Sequence, residues 1–172
     1  PFLNDPGLEM EKVDWAEKAG AHTLMDLSTG GDLDVIRKRM LEASSLPLGT
    51  VPIYSVAQKY IASGADPAQM SAQEILEEIE KQAEQGVDFM TIHSGVTARA
   101  VELVNKGDRL LGIVSRGGSL LARWMQVQGR ENPLYEDFQS VLDICLKHNV
   151  VISLGDGLRP GAGADAGDKA QW

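Results

Sequence analysis

One cysteine, Cys145, in 172 residues leaves no internal disulfide framework. A single thiol suits a reducing compartment. Positive charge is scarce as well: 16 Lys and Arg against 25 Asp and Glu give a net charge of −9. A broad nucleic-acid or anionic-membrane surface needs clustered Lys and Arg to displace counterions, so neither partner is expected. An anionic ligand must then meet a local positive site. No apolar run approaches the roughly 20 residues of a membrane span, and no basic-then-apolar signal segment opens the chain. The expected location is cytoplasmic. Linkers, low-complexity tracts and close internal repeats are missing too. The chain opens on Pro1 without a methionine and stops at "AGADAGDKAQW", where a helix is expected to start. It therefore reads as one domain over 1–172, an incomplete segment of something longer.

What is present is a globular composition, 43% hydrophobic and 24% charged. Short, nearly continuous apolar runs recur at 22–27, 49–54, 87–93, 110–115 and 150–157. Such runs are expected of parallel strands buried on both faces. Between them lie amphipathic helical patterns at 32–44, 71–86, 97–107, 119–129 and 132–149. The first opens on Asp32 as N-cap, and the second on a Ser71-x-x-Glu74 capping box with its charged positions read as a solvated face. The alternation is that of about five consecutive βα units, an α/β protein. A doubly wound sheet collects ligands at one switch point, whereas a (β/α)8 barrel converges every strand end on one mouth. Polar motifs follow all five strands here, which favours a partial barrel, since eight units need about 250 residues.

Each motif has a chemical and a structural reading. In "MDLSTGGD" (25–32), Asp26 and Ser28 precede a Thr-Gly-Gly turn that presents amides to an anion, or simply a tight turn capped by Asp32. Tyr54 ends "VPIYS" as a rim aromatic. His93, in "TIHSG", donates to a ligand, acts as acid or base, or is structural; it has no HxH or HxxxH partner for a metal. His22 and His148 read as peripheral. In "SRGG" (115–118), Ser115 offers a hydroxyl and Arg116 a guanidinium that grips two oxygens. Gly117 and Gly118 let helix N-terminal amides come close. These are parts for a phosphate, unless Arg116 is salt-bridged to the surrounding acids. In "GDGLRPG" (155–161), Asp156 and Arg159 form either a polar network at the mouth or a mutual salt bridge.

Taken together, "MDLSTGGDLD", "GTVPIY", "QAEQGVDFMTIHSGV", "GIVSRGGS", "ENPLYE" and "SLGDGLRPG" closely resemble, in order and separation, the central portion of the thiamine-pyrimidine synthase (ThiC) family of radical S-adenosylmethionine enzymes. The resemblance implies a (β/α)8 barrel that converts aminoimidazole ribotide to phosphorylated hydroxymethylpyrimidine. The radical is made with S-adenosylmethionine at a [4Fe–4S] cluster, and a zinc or iron ion is bound as well. Carried over by motif, Met25, Tyr54, His93, Ser115, Arg116, Gly117, Asp156 and Arg159 resemble the residues around the ribotide. Ser115, Arg116 and Gly117 would hold its phosphate. The family's metal-binding histidines, its glutamate and its cysteine triad match nothing in this segment, and Cys145 reads as core. The segment alone is therefore expected to hold neither cluster nor metal and to be inactive. The resemblance also implies a homodimer for the full-length protein. Two alternatives share the ribotide: anaerobic hydroxybenzimidazole synthase, and a noncatalytic ribotide-binding remnant.

Overall fold

Short polar side chains set where the helices begin. Asp32, Ser71, Thr97 and Ser115 each accept a hydrogen bond from the amide three residues on, which satisfies one of the orphan donors of a first turn. At Ser71 the capping box is complete, because Glu74 also accepts from the Ser71 amide. The computed structural model describes residues 6–172; residues 1–5, part of the domain expected over 1–172, lie outside the described residues. In chain order the elements are α1 (Pro6–Lys18), β1 (Leu24–Asp26), α2 (Leu33–Ala43), β2 (Leu48–Thr50), α3 (Pro52–Ala62) and α4 (Ala72–Glu84). There follow β3 (Phe89–Ile92), α5 (Ala98–Lys106), α6 (Arg116–Gln128), α7 (Pro133–Glu136), α8 (Phe138–His148) and β4 (Val151–Leu154). Single 3-10 turns lie at Pro67–Gln69 and Gly163–Asp165.

The four strands form one parallel sheet in the order β1-β2-β3-β4. Sequential order is how a (β/α)8 barrel lays down its strands, whereas a doubly wound sheet reverses direction at a switch point. The chain is thus an α/β protein whose open sheet is consistent with a partial barrel. No described helix is long and apolar enough to cross a membrane.

The expected strand at 110–115 does not form. β4 pairs directly with β3 in the register Phe89 to Val151 through Ile92 to Leu154, and so takes the edge that a strand at 110–115 would need. The amides of Leu110 and Leu111 instead donate to the Asp165 carboxylate. Gly112 takes a left-handed φ of 58° that ends any extended run. Burial on both faces also fails at the edge: Val151 is 66% and Leu154 69% exposed, whereas all three residues of β2 are buried. At "VPIY" the strand stops at Thr50 because Pro52 lacks a ladder donor and suits a first helical turn; Tyr54 is therefore helical. The expected C-terminal helix is only the 3-10 turn at Gly163–Asp165.

Two apolar clusters build the core. The larger joins Ile75 and Ile79 of α4, Met90 and Ile92 of β3, Leu121 and Trp124 of α6 and Val141 of α8. Trp124 satisfies its indole N–H on the Met70 carbonyl at 2.7 Å. The smaller packs Val13 of α1 and Ile36 and Met40 of α2 against Leu48.

The α4 face expected to be solvated is partly interior. Glu78 and Gln82 are buried beside Arg37, itself 1% exposed. Arg37 donates to Asp34, Gln85 and Ser55, and it stands 4.0 Å from both the Asp26 and Glu78 carboxylates. Lys59 pairs with Glu78 at 2.7 Å. Burial alone would raise the Asp34 carboxyl, but hydrogen bonds from Lys81 and Gln85 outweigh it and hold the group below its ordinary value. These charges brace α2, α3 and α4 against one another.

Candidate functional site

His93 follows β3 directly and is 4% exposed. Its ring lies between two backbones. A Cβ added at Gly117, in the first turn of α6, would fall 2.5 Å from His93 Cε1. One added at Gly155, just after β4, would fall 2.9 Å from His93 Cδ2. Both positions therefore exclude any larger residue unless the ring moves. His93 Nδ1 is buried and has no hydrogen-bond partner. Burial, reinforced by the Arg159 charge and opposed by Asp156, holds the imidazole below its ordinary value, so it is neutral near pH 7.

Arg116 opens α6, with its guanidinium 4.9 Å from the Tyr54 ring centroid, a cation–π distance. The structural alternative for Arg116, a salt bridge to neighbouring acids, is not seen: among the described residues the ion pairs include neither Arg116 nor Asp156 nor Arg159. Ser115 is buried and its Oγ accepts from the Gly118 amide at 3.1 Å, which leaves its hydroxyl proton to donate. The first α6 turn is tied from Ser119 N to the Ser115 carbonyl, so the Arg116 and Gly117 amides have no intrahelical acceptor. Arg159 donates to the Asp156 backbone carbonyl at 3.1 Å, not to its carboxylate.

The structure thus brings together Tyr54, His93, Ser115, Arg116 and Gly117, with Asp156 and Arg159 on the adjoining turn. Met25 lies in β1, two strands from β3, and is 38% exposed. The neighbouring "LSTGG" turn takes its structural reading: Asp26 accepts from the Ser28 amide and Asp32 caps α2. His148 joins a different group. A ring nitrogen of His148 and one carboxylate oxygen each from Glu80 and Glu84 lie within 4.8 Å of one another. That cluster is at the C-terminal ends of α4 and α8, beside the amino ends of the strands and away from His93.

Sequence reasoning quoted Asn132 in "ENPLYE" but gave it no task. The residue is fully buried. Its Nδ2 donates to the His93 carbonyl at 2.9 Å and the Val96 carbonyl at 3.0 Å, while its Oδ1 accepts from Leu134 N. Asn-Pro before a helical pattern signals only the cap, and nothing local points to the carbonyls 39 and 36 residues back.

The carboxyl end of this singly wound parallel α/β sheet thus carries a buried histidine and, among the described residues, an arginine in no ion pair. The chain matches the Radical SAM ThiC family over residues 2–172, and it belongs to that family. It is 50% identical over 163 residues to the phosphomethylpyrimidine synthase of Carboxydothermus hydrogenoformans and 48% identical over 163 residues to that of Pyrococcus furiosus; each match covers 95% of this chain and 38% of the relative. It is 48% identical over 171 residues to the phosphomethylpyrimidine synthase of Methanopyrus kandleri, covering 99% of this chain and 40% of that relative. The chain therefore spans about two fifths of the length of these relatives.

Proposed function

We propose that this chain supplies part of the substrate site of a phosphomethylpyrimidine synthase, and that the ligand it grips is aminoimidazole ribotide. One observation carries the reading. Among the described residues Arg116 makes no ion pair and lies over the Tyr54 ring, the Arg116 and Gly117 amides have no intrahelical acceptor, and Gly117 packs on the His93 ring, whose Nδ1 has no partner. In an acidic protein such a local cation is where a phosphate binds most favourably. Arg116, Gly117 and the Ser115 hydroxyl take the phosphate, and the Tyr54 ring keeps the guanidinium level. His93, neutral, has one nitrogen to donate and one to accept toward the ribose or imidazole. Asp156 accepts from hydroxyl or amino groups, Arg159 donates, and Met25 closes the far side.

The family's radical chemistry calls for S-adenosylmethionine and an iron–sulfur cluster, which is bound through several cysteine thiolates. This chain does not fit that group: Cys145 is its one cysteine, it is buried in α8, and burial pushes its thiol up, away from the thiolate form. Nor does Glu80, Glu84 and His148 place a metal near His93. What the chain's own residues do is bind, orient and exclude water. The relatives named above are pyrimidine synthases, which supports that product over hydroxybenzimidazole.

Calorimetry with the ribotide and its dephosphorylated riboside tests the reading. The ribotide is expected to bind at least about 100-fold more tightly, the scale of one or two charge-assisted bonds. Equal affinity would remove the phosphate from the account.

A further inference from the structure

Among the described residues no hydrogen bond to Nδ1 holds the His93 ring in place. Its orientation comes from two sources: the glycine walls at 117 and 155, and the backbone that carries it. That backbone, the turn from His93 to Ala98, is held from outside. Asn132 puts one amide donor on the His93 carbonyl and one on the Val96 carbonyl. Glu131 Oε1 accepts from the Ala98 amide at 2.8 Å and from the Asn132 amide at 2.8 Å. Glu131 and Asn132, in the connection between α6 and α7, thus grip both ends of the turn that follows β3. Every polar atom of the Asn132 side chain is used, and the residue has no exposed surface with which to touch a ligand. Any effect it has on binding is therefore indirect, through His93 or through Val96, whose side chain packs on Gly157.

We propose that Asn132 is a positioning residue: by tying the His93 and Val96 carbonyls to the start of α7, it sets the depth and tilt of the His93 ring between Gly117 and Gly155. The inference rests on the reading that His93 faces the ribotide. It adds that the α6–α7 connection sets the geometry of the imidazole contact, separately from the phosphate grip of Arg116. Each donor is short and buried, and a buried carbonyl that loses its donor drives the turn to rearrange.

Asn132→Asp isolates the effect. The aspartate keeps an oxygen to cap Leu134 and loses both donors. Leu134→Ala is the control, since it empties a buried position on the same helix while keeping both Asn132 donors to the turn. The chain has three histidines, so the His93 ring can be followed by long-range proton–nitrogen correlation spectra. In Asn132→Asp the His93 ring signals are expected to shift and broaden. Affinity for aminoimidazole ribotide should fall about tenfold, and affinity for ribose 5-phosphate, which lacks the imidazole, less than about twofold. Leu134→Ala should lower the unfolding midpoint while leaving the His93 signals in place. Where Asn132→Asp does not fold, Asn132→Ser keeps the cap and one donor and should give an intermediate shift. Unmoved His93 signals in a folded Asn132 variant, or equal movement in Leu134→Ala, overturns the proposal. If the unmodified chain binds neither ligand, the ribotide reading fails, and the ring signals alone still decide whether Asn132 positions His93.

Discussion

The Arg116 guanidinium lies 4.9 Å from the centre of the Tyr54 ring, and that pairing joins the first turn of α6 to the first turn of α3. A cation held by a ring face keeps all its N–H donors for an anion, whereas one held by a carboxylate does not. Arg116→Ala should therefore weaken ribotide binding by about 1.5–3 kcal/mol. Tyr54→Leu, which removes only the platform, should cost about 0.5–1 kcal/mol. Calorimetric titration checks both, and a larger loss in Tyr54→Leu would reverse the assigned roles.

Gly117→Ala places a methyl group 2.5 Å from the His93 ring, and Gly155→Ala one at 2.9 Å. Each should destabilise by about 1–3 kcal/mol through overpacking, read from urea unfolding. Gly163→Ala, with nothing within 4 Å of the added carbon, is the matched control and should stay within about 0.5 kcal/mol.

His93 titrates below the ordinary imidazole value because it is buried. The unfolded chain binds its proton first, so stability from this group is complete above about pH 6.5 and declines as pH falls through the lower folded value. His93→Gln should flatten that part of the stability profile. An unchanged slope between neutral and acid pH in the variant would show that the ring is not held neutral by the fold.

Arg37 is 1% exposed and faces Asp26, Asp34 and Glu78. Arg37→Ala leaves the buried Asp26 carboxylate without a cation, and Ser55 and Gln85 without their donor, while Lys59 still pairs with Glu78 and Lys81 with Asp34; it should cost about 3–5 kcal/mol. Thermal unfolding measures it, and a loss under about 1 kcal/mol would place these charges in water instead.

β4 ends the sheet with Val151 and Leu154 largely exposed, an apolar edge that invites pairing with another chain. This 172-residue chain should associate as its concentration rises, and Leu154→Lys should lower that tendency. Sedimentation that shows one monomeric species for both across the range would contradict it.

The helix starts at Asp32, Ser71 and Thr97 were legible because caps are local chemistry, written within three residues of the turn they serve. The placement of Ser115, Arg116 and Gly117 at one helix start was legible for the same reason. What escaped was non-local. Residues 110–115 have the composition of a strand, but strand formation depends on which neighbour takes the edge of β3, and β4 takes it. Glu78 reads as solvated until Arg37, from another helix, arrives beside it. Tyr54 looked like a strand end, yet Pro52 made it helical. Asn132 announced its cap and concealed its two carbonyls, since the partners of a donor cannot be read from its own segment.

In the proposed site one ligand is gripped through its phosphate by the start of α6 and through its ring by His93. Titrating aminoimidazole ribotide into nitrogen-15-labelled chain tests both contacts at once. The Arg116 and Gly117 amides and the His93 ring nitrogens are expected to shift together along one saturable curve, which Arg116→Ala should weaken. Saturable shifts that leave these groups still, or a folded chain with no shifts at all, would contradict it.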